Sequence, residues 1–172
     1  HRDLHSFPTR RSSDLNIDTR ILQRSAQLLN NGGVIALPTD TSWIIACSAL
    51  SKAGVDALRL VSTQRDERHF TFITNSISMA GDYCALDNTR FRLIKRLSPG
   101  PYVFILDALH GTSKKLSLRR GEIGLRIPNH PVPLALCQAL GEPLYSITAK
   151  RSLIGESAAF DARSEERRVG KE

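Results

Sequence analysis

Three cysteines are all the thiol chemistry this chain offers, and Cys47, Cys84 and Cys137 are far apart, odd in number and without a Cys-x-x-Cys pair. That pattern argues against a disulfide framework and a cysteine-based zinc site, and it fits a reducing compartment. Histidine is equally sparse: His1 and His5 stand in a leader set aside below, and His69, His110 and His130 lack metal-ligand spacing, so no protein-bound metal is expected. No apolar run is long enough for a helical membrane span and no secretory leader pattern is visible, so the expectation is a soluble cytoplasmic protein. Aromatic residues make up only 6% of the chain, with a single tryptophan, which leaves little to stack single-stranded bases. Motifs that fix a chemistry by themselves are also missing. Gly32-Gly33 is not a phosphate loop, because no Gly-x-x-x-x-Gly-Lys-Ser/Thr follows, and there is neither a Gly-x-Ser-x-Gly elbow nor a His-Glu-x-x-His helix.

What is present suffices for one domain of 172 residues. Its two ends stand apart. Residues 1–15 and 163–172 carry no helical or strand period and resemble peptides translated from sequencing-adapter DNA, so they are excluded from fold reasoning as a tag would be. A natural basic arm and a solvated charged tail are the alternative. The net charge is +7 and each end contributes +1, leaving +5 on residues 16–162. A body that basic suits polyanions, although 24% charged residues also describes an ordinary soluble surface.

Periodicity and punctuation place the elements. Asp18 caps a helix carrying Ile21, Leu22, Leu28 and Leu29 and stopped by Gly32-Gly33. Strands are expected over 33–37 and 43–47, then a helix opened by Ser51 with Val55, Leu58 and Val61, and a strand over 70–73. Helices near 77–82 and 88–97 precede strands over 102–106 and 123–127, a helix over 133–140 with proline near its start, and a last strand over 144–148. Strands and helices interleave without a strict repeat. That order predicts a single-domain α/β fold, an open twisted mixed sheet with helices on its faces, rather than a Rossmann repeat.

The densest local signal is Pro38-Thr39-Asp40-Thr41, which ends the first apolar strand. Pro38 cannot donate to a central ladder, so the two threonines and the acid fall on a loop at the strand's end, where hydroxyls can hold a carboxylate or phosphate oxygen. A turn with a local hydroxyl or Asx cap is the plainer reading of the same residues.

Four ordered motifs add to this. Pro38-Thr39-Asp40-Thr41-Ser42-Trp43 resembles the Pro-Thr-Asp/Glu-Thr-x-Tyr signature of the YrdC/YciO family of threonylcarbamoyl-adenylate synthase-like proteins. The stretch 99–106, opening Pro99-Gly100-Pro101, resembles the family's Pro-Gly-Pro strand, and 124–131 its Arg-x-Pro-x-His-Pro segment. The stretch 141–148 resembles the strand leading to its Ser-x-Asn. The YciO branch is the nearer one. The resemblance implies an open sheet curled around a basic concave cavity. It also implies a family-like domain over 16–162 that stops short of the family's C-terminal strands and nucleotide-closing loop, so that part of any site would be missing.

Proteins of this resemblance join L-threonine, bicarbonate and ATP, with Mg²⁺ on the nucleotide, into threonylcarbamoyl-adenylate and pyrophosphate, the first stage of a tRNA adenosine modification. By resemblance Arg126 faces the amino acid's carboxylate, a task that suits a guanidinium fork, with Thr39, Thr41, Ser146 and Thr148 around the substrate. Ser146 and Thr148 share one face of their strand and either line the cavity or hydrogen-bond across the sheet. The nucleotide positions depart from the pattern. Leu60 and Ser62 stand where the family has Lys-x-Arg, so the triphosphate charge would fall to Arg65 and Arg68 on a rearranged loop. Thr148-Ala149-Lys150 replaces Ser-x-Asn, with Lys150 as a point charge. Trp43 stands for the usual Tyr and Ile44 for the usual Gly, which is expected to narrow the pocket. No catalytic residue is singled out. Two functions follow: a nucleotidyltransferase of the threonylcarbamoyl-adenylate synthase type with weakened nucleotide motifs, or a non-catalytic module that binds double-stranded RNA or tRNA through its phosphates.

Overall fold

The computed structural model describes residues 16–62, 70–112 and 121–149. Six strands, β1 (Ile35–Pro38), β2 (Trp43–Ser48), β3 (Thr71–Ile73), β4 (Phe104–Asp107), β5 (Glu122–Arg126) and β6 (Leu144–Thr148), form one sheet in the order β1-β2-β6-β3-β5-β4. All neighbouring pairs are antiparallel except β3 with β5. This is the open mixed sheet expected from the interleaved pattern, and its edges are β1 and β4.

Among the described residues the helices packed on the sheet are α1 (Thr19–Asn30), α2 (Lys52–Val61), α3 (Ile77–Gly81), α4 (Asn88–Leu97) and α5 (Pro131–Leu140). Their starts follow capping chemistry. Asp18 accepts from the Arg20 amide at 2.8 Å, Ser51 from Gly54 at 3.1 Å, Ser76 from Met79 at 3.1 Å and Asp87 from Arg90 at 2.7 Å. The helix expected from 133 begins at Pro131 instead, because His130 serves as its cap and proline is at home in a first turn. It ends at Gly141, whose φ of 70° is the left-handed cap that glycine adopts without penalty.

Alternation along the strands assigns two cores. Ile45, Cys47, Phe72, Leu125, Tyr145 and Ile147 face one side, under Val55 and Leu58 of α2 and Ile94 of α4. Ile44, Ala46, Ile73 and Leu144 face the other, under Ala26 and Leu29 of α1 and Leu136 of α5. Edge-on ring contacts tie the first core together, Phe72 to Tyr83 at 5.5 Å and Phe70 to Tyr145 at 5.1 Å. The three cysteines are distributed between the cores, Cys47 and Cys84 in the first and Cys137 in the second, and burial pushes each thiol up to about 12. Among the described residues no helix is long and apolar enough to cross a membrane. Phe72 is fully buried at the centre of the sheet, so Phe72→Ala is expected to lower the unfolding free energy by about 3–5 kcal/mol, read from urea denaturation.

Candidate functional site

The β1–β2 hairpin is closed by the residues of the Pro-Thr-Asp-Thr run. Its turn is held by Thr39, whose amide donates to the Ser42 carbonyl at 3.0 Å and whose hydroxyl donates to the same oxygen at 2.7 Å. The Thr39 hydroxyl oxygen also lies 3.2 Å from the Ser42 amide and 3.3 Å from that of Thr41, as an acceptor. A local hydroxyl turn is therefore present, as the plainer sequence reading had it. It leaves the Asp40 carboxylate outside its own bonding and reaches the Thr41 hydroxyl only through a 3.3 Å contact with that of Thr39.

Both are claimed by Arg126 at the end of β5. Its Nη1 donates to Thr41 Oγ1 at 3.0 Å, its Nη2 pairs with Asp40 Oδ1, and its Nε donates to the Gly100 carbonyl at 3.2 Å. Two strands, β6 and β3, lie between β2 and β5, so this contact closes over a face of the twisted sheet. The Arg126 side chain is 9% exposed and that of Asp40 16%, and a buried guanidinium needs such partners. Gly100 supplies its carbonyl from a loop whose Ser98–Pro99 bond is cis, and the Gly100 amide returns to the Ile127 carbonyl at 2.8 Å. A Cβ on Gly100 would stand 2.9 Å from the Leu97 carbonyl, which explains glycine there.

The other expected residues distribute unevenly. Thr148 is exposed and pairs with Ile44, and the following Ala149 amide bonds to the Trp43 carbonyl at 2.9 Å, which puts Thr148 beside the hairpin. Ser146 is buried, and its hydroxyl donates to the Thr71 carbonyl at 3.0 Å, so of its two alternatives the cross-sheet bond is the one observed. Lys150, Arg65 and Arg68 lie outside the described residues. Leu60, at the family's lysine position, is 89% exposed, and Ser62 ends α2, while the nearby Arg59 pairs with Asp56 at 2.9 Å. The Ile44 side chain joins the apolar core with Leu37 and Leu136. Trp43 instead borders an apolar groove of about 340 Å³ with Ile17, Ile21, Pro38 and Val132. Among the described residues no group of three or more His, Cys, Asp and Glu could hold a metal ion.

Sequence reasoning located Arg126 and the threonines but missed the Asp40 and Gly100 contacts. Both residues stood inside quoted motifs, yet nothing in spacing reveals that distant motifs converge on one guanidinium.

The fold and this corner together define the class. The chain belongs to the Sua5/YciO/YrdC family, whose profile, described as "Telomere recombination", matches residues 27–171. It is 33% identical over 132 residues to the uncharacterized protein YciO of Escherichia coli K12, covering 76% of this chain and 64% of that protein. The crystal structure of E. coli YciO matches with a TM-score of 0.68 over 75% of this chain and 63% of that one. A threonylcarbamoyl-AMP synthase of Xanthomonas axonopodis pv. citri is 32% identical over 145 residues, 83% of this chain and 76% of the synthase. P. abyssi Sua5 complexed with L-threonine shares the fold, with a TM-score of 0.67 at 18% identity over 73% of this chain and 37% of that one. The chain thus spans less than two thirds of the length of the YciO relative that it matches.

His130 adds a titratable group at this corner. Its Nδ1 accepts from the Val132 amide at 3.2 Å, capping α5. Burial lowers its pKa from 6.5, with the nearby Asp40 carboxylate pulling the other way. The unfolded chain therefore holds the proton more tightly than the folded one, so stability is full above 6.5 and declines as pH falls through and below that value. Protonating Nδ1 would also remove the capping acceptor. His130→Asn keeps a capping oxygen that does not titrate; urea midpoints measured between about pH 7.5 and about 5.5 should fall less steeply in this variant than in the wild type.

Proposed function

We propose that this chain is a threonylcarbamoyl-AMP synthase-type protein whose Arg126 corner receives the carboxylate of L-threonine. The observation that carries the reading is a largely buried guanidinium fixed by the Gly100 carbonyl and the Thr41 hydroxyl, in a chain that belongs to the Sua5/YciO/YrdC family. The reaction takes L-threonine and bicarbonate to an N-carboxy amino acid, which ATP with Mg²⁺ adenylates with loss of pyrophosphate. The product serves tRNA modification. Arg126 binds and orients the carboxylate, Thr39 shapes the hairpin, and Thr41 and Thr148 offer hydroxyls to the substrates. Ser146 supports the wall behind them. Phosphate charge falls to Lys150, Arg65 and Arg68, which makes the nucleotide half of the site weaker than in a chain with Lys-x-Arg and Ser-x-Asn.

Calorimetry with L-threonine and Mg-ATP tests this. Threonine binding strengthened by Mg-ATP is expected in the wild type. Arg126→Ala should weaken threonine binding by roughly tenfold to a hundredfold, the worth of a charged hydrogen bond, with Arg126→Lys intermediate. A folded wild type that binds neither ligand would sink the reading.

A second reading has its own observations: Leu60 is exposed in the lysine's place, and α4 turns Arg92, Lys95 and Arg96 to solvent on one face by their i, i+3, i+4 spacing. These favour a module that binds double-stranded RNA or tRNA without chemistry. Its signature is RNA affinity that falls steeply with salt, without ATP turnover, and weakens when the three α4 cations are changed to glutamine.

A further inference from the structure

We infer that Asp40 is a resident carboxylate that occupies the Arg126 site until a ligand's carboxylate takes its place, so that its release sets how readily the site fills. The inference rests on the reading of Arg126 as a carboxylate receptor and goes beyond it to the regulation of that site.

Three observations carry it. All three nitrogens of the Arg126 side chain are engaged, Nε by Gly100, Nη1 by Thr41 and Nη2 by Asp40, so a ligand carboxylate meets a fork already holding one of its own kind. The arginine would keep its place without Asp40, because the Gly100 carbonyl and the Thr41 hydroxyl hold two of its three nitrogens. The hairpin would also keep its shape, because the turn is bonded through the Thr39 amide and hydroxyl and not through the Asp40 side chain. Asp40 can therefore leave by rotating its own side chain, with neither β5 nor the hairpin moving.

The chemistry of the exchange is balanced. One carboxylate replaces another on one guanidinium, so the buried cation is never left unpaired, which is the expensive alternative. Two carboxylates on the same fork would repel, which makes displacement favoured over sharing. A site filled by its own side chain most of the time binds ligand with an affinity reduced by the fraction of time it is open.

Sodium acetate, titrated at constant ionic strength and about pH 7.5, where His130 is neutral, isolates this exchange from threonine recognition. NMR signals of the Arg126 guanidinium report occupancy in the wild type, Asp40→Asn and Asp40→Ala. Acetate should bind about tenfold tighter in at least one of the variants than in the wild type. In the wild type, which needs no substitution to fold, saturating acetate should shift the Asp40 carboxyl carbon toward its solvated position. Equal or weaker acetate binding in both variants, or an Asp40 signal that stays still while Arg126 responds, overturns the inference and makes Asp40 a fixed anchor of the arginine. L-threonine titrated in parallel separates the two readings: threonine that binds no better than acetate counts against the proposed substrate, while the acetate comparison still decides the role of Asp40.

Discussion

A guanidinium that is nearly buried has to be surrounded by oxygen, and at Arg126 those oxygens come from two distant parts of the chain. The Gly100 loop and the β1–β2 hairpin have no reason of their own to converge. Arg126 gives them one, because a lost partner would leave a charge in low dielectric, a cost of several kcal/mol. The apolar cores build the sheet, and this polar contact fixes how the hairpin sits relative to β5. It follows that the most heavily hydrogen-bonded side chain of the candidate site is also part of the fold's architecture.

The strands and helices were legible because their physics is local. Caps at Asp18 and Ser51, the apolar run of 43–47 and the Gly32-Gly33 stop after α1 are written in neighbouring residues, and the structure places these elements within a residue or two. Boundaries moved where a less usual residue did the capping, as at His130. The sheet order, with β6 inserted between β2 and β3, is a long-range pairing that no window of sequence contains.

The candidate site was legible by motif and illegible by contact. Arg126 and the two threonines could be named in advance, whereas Ser146 proved to be bonded across the sheet and Ile44 to be a core residue. The isoleucine at position 44 packs into the core under α1 and α5, on the same face of the sheet as its cross-strand partner Thr148. Leu60 shows the reverse: an apolar residue standing 89% exposed where the family carries a cation. Burial would have repaid a leucine with apolar contacts, and here it obtains few.

The buried thiols carry a consequence of a different kind. Cys47 and Cys84 are sealed on one side of the sheet and Cys137 on the other, each with its thiol held near 12 and so almost wholly un-ionised while packed. Since the thiolate is the reactive form, these three thiols are shielded from alkylating reagents while the domain is folded, and their reactivity rises on opening. The sequence has in effect placed an independent clock on each face. The order in which the cysteines become modified records which layer of helices lifts from the sheet first.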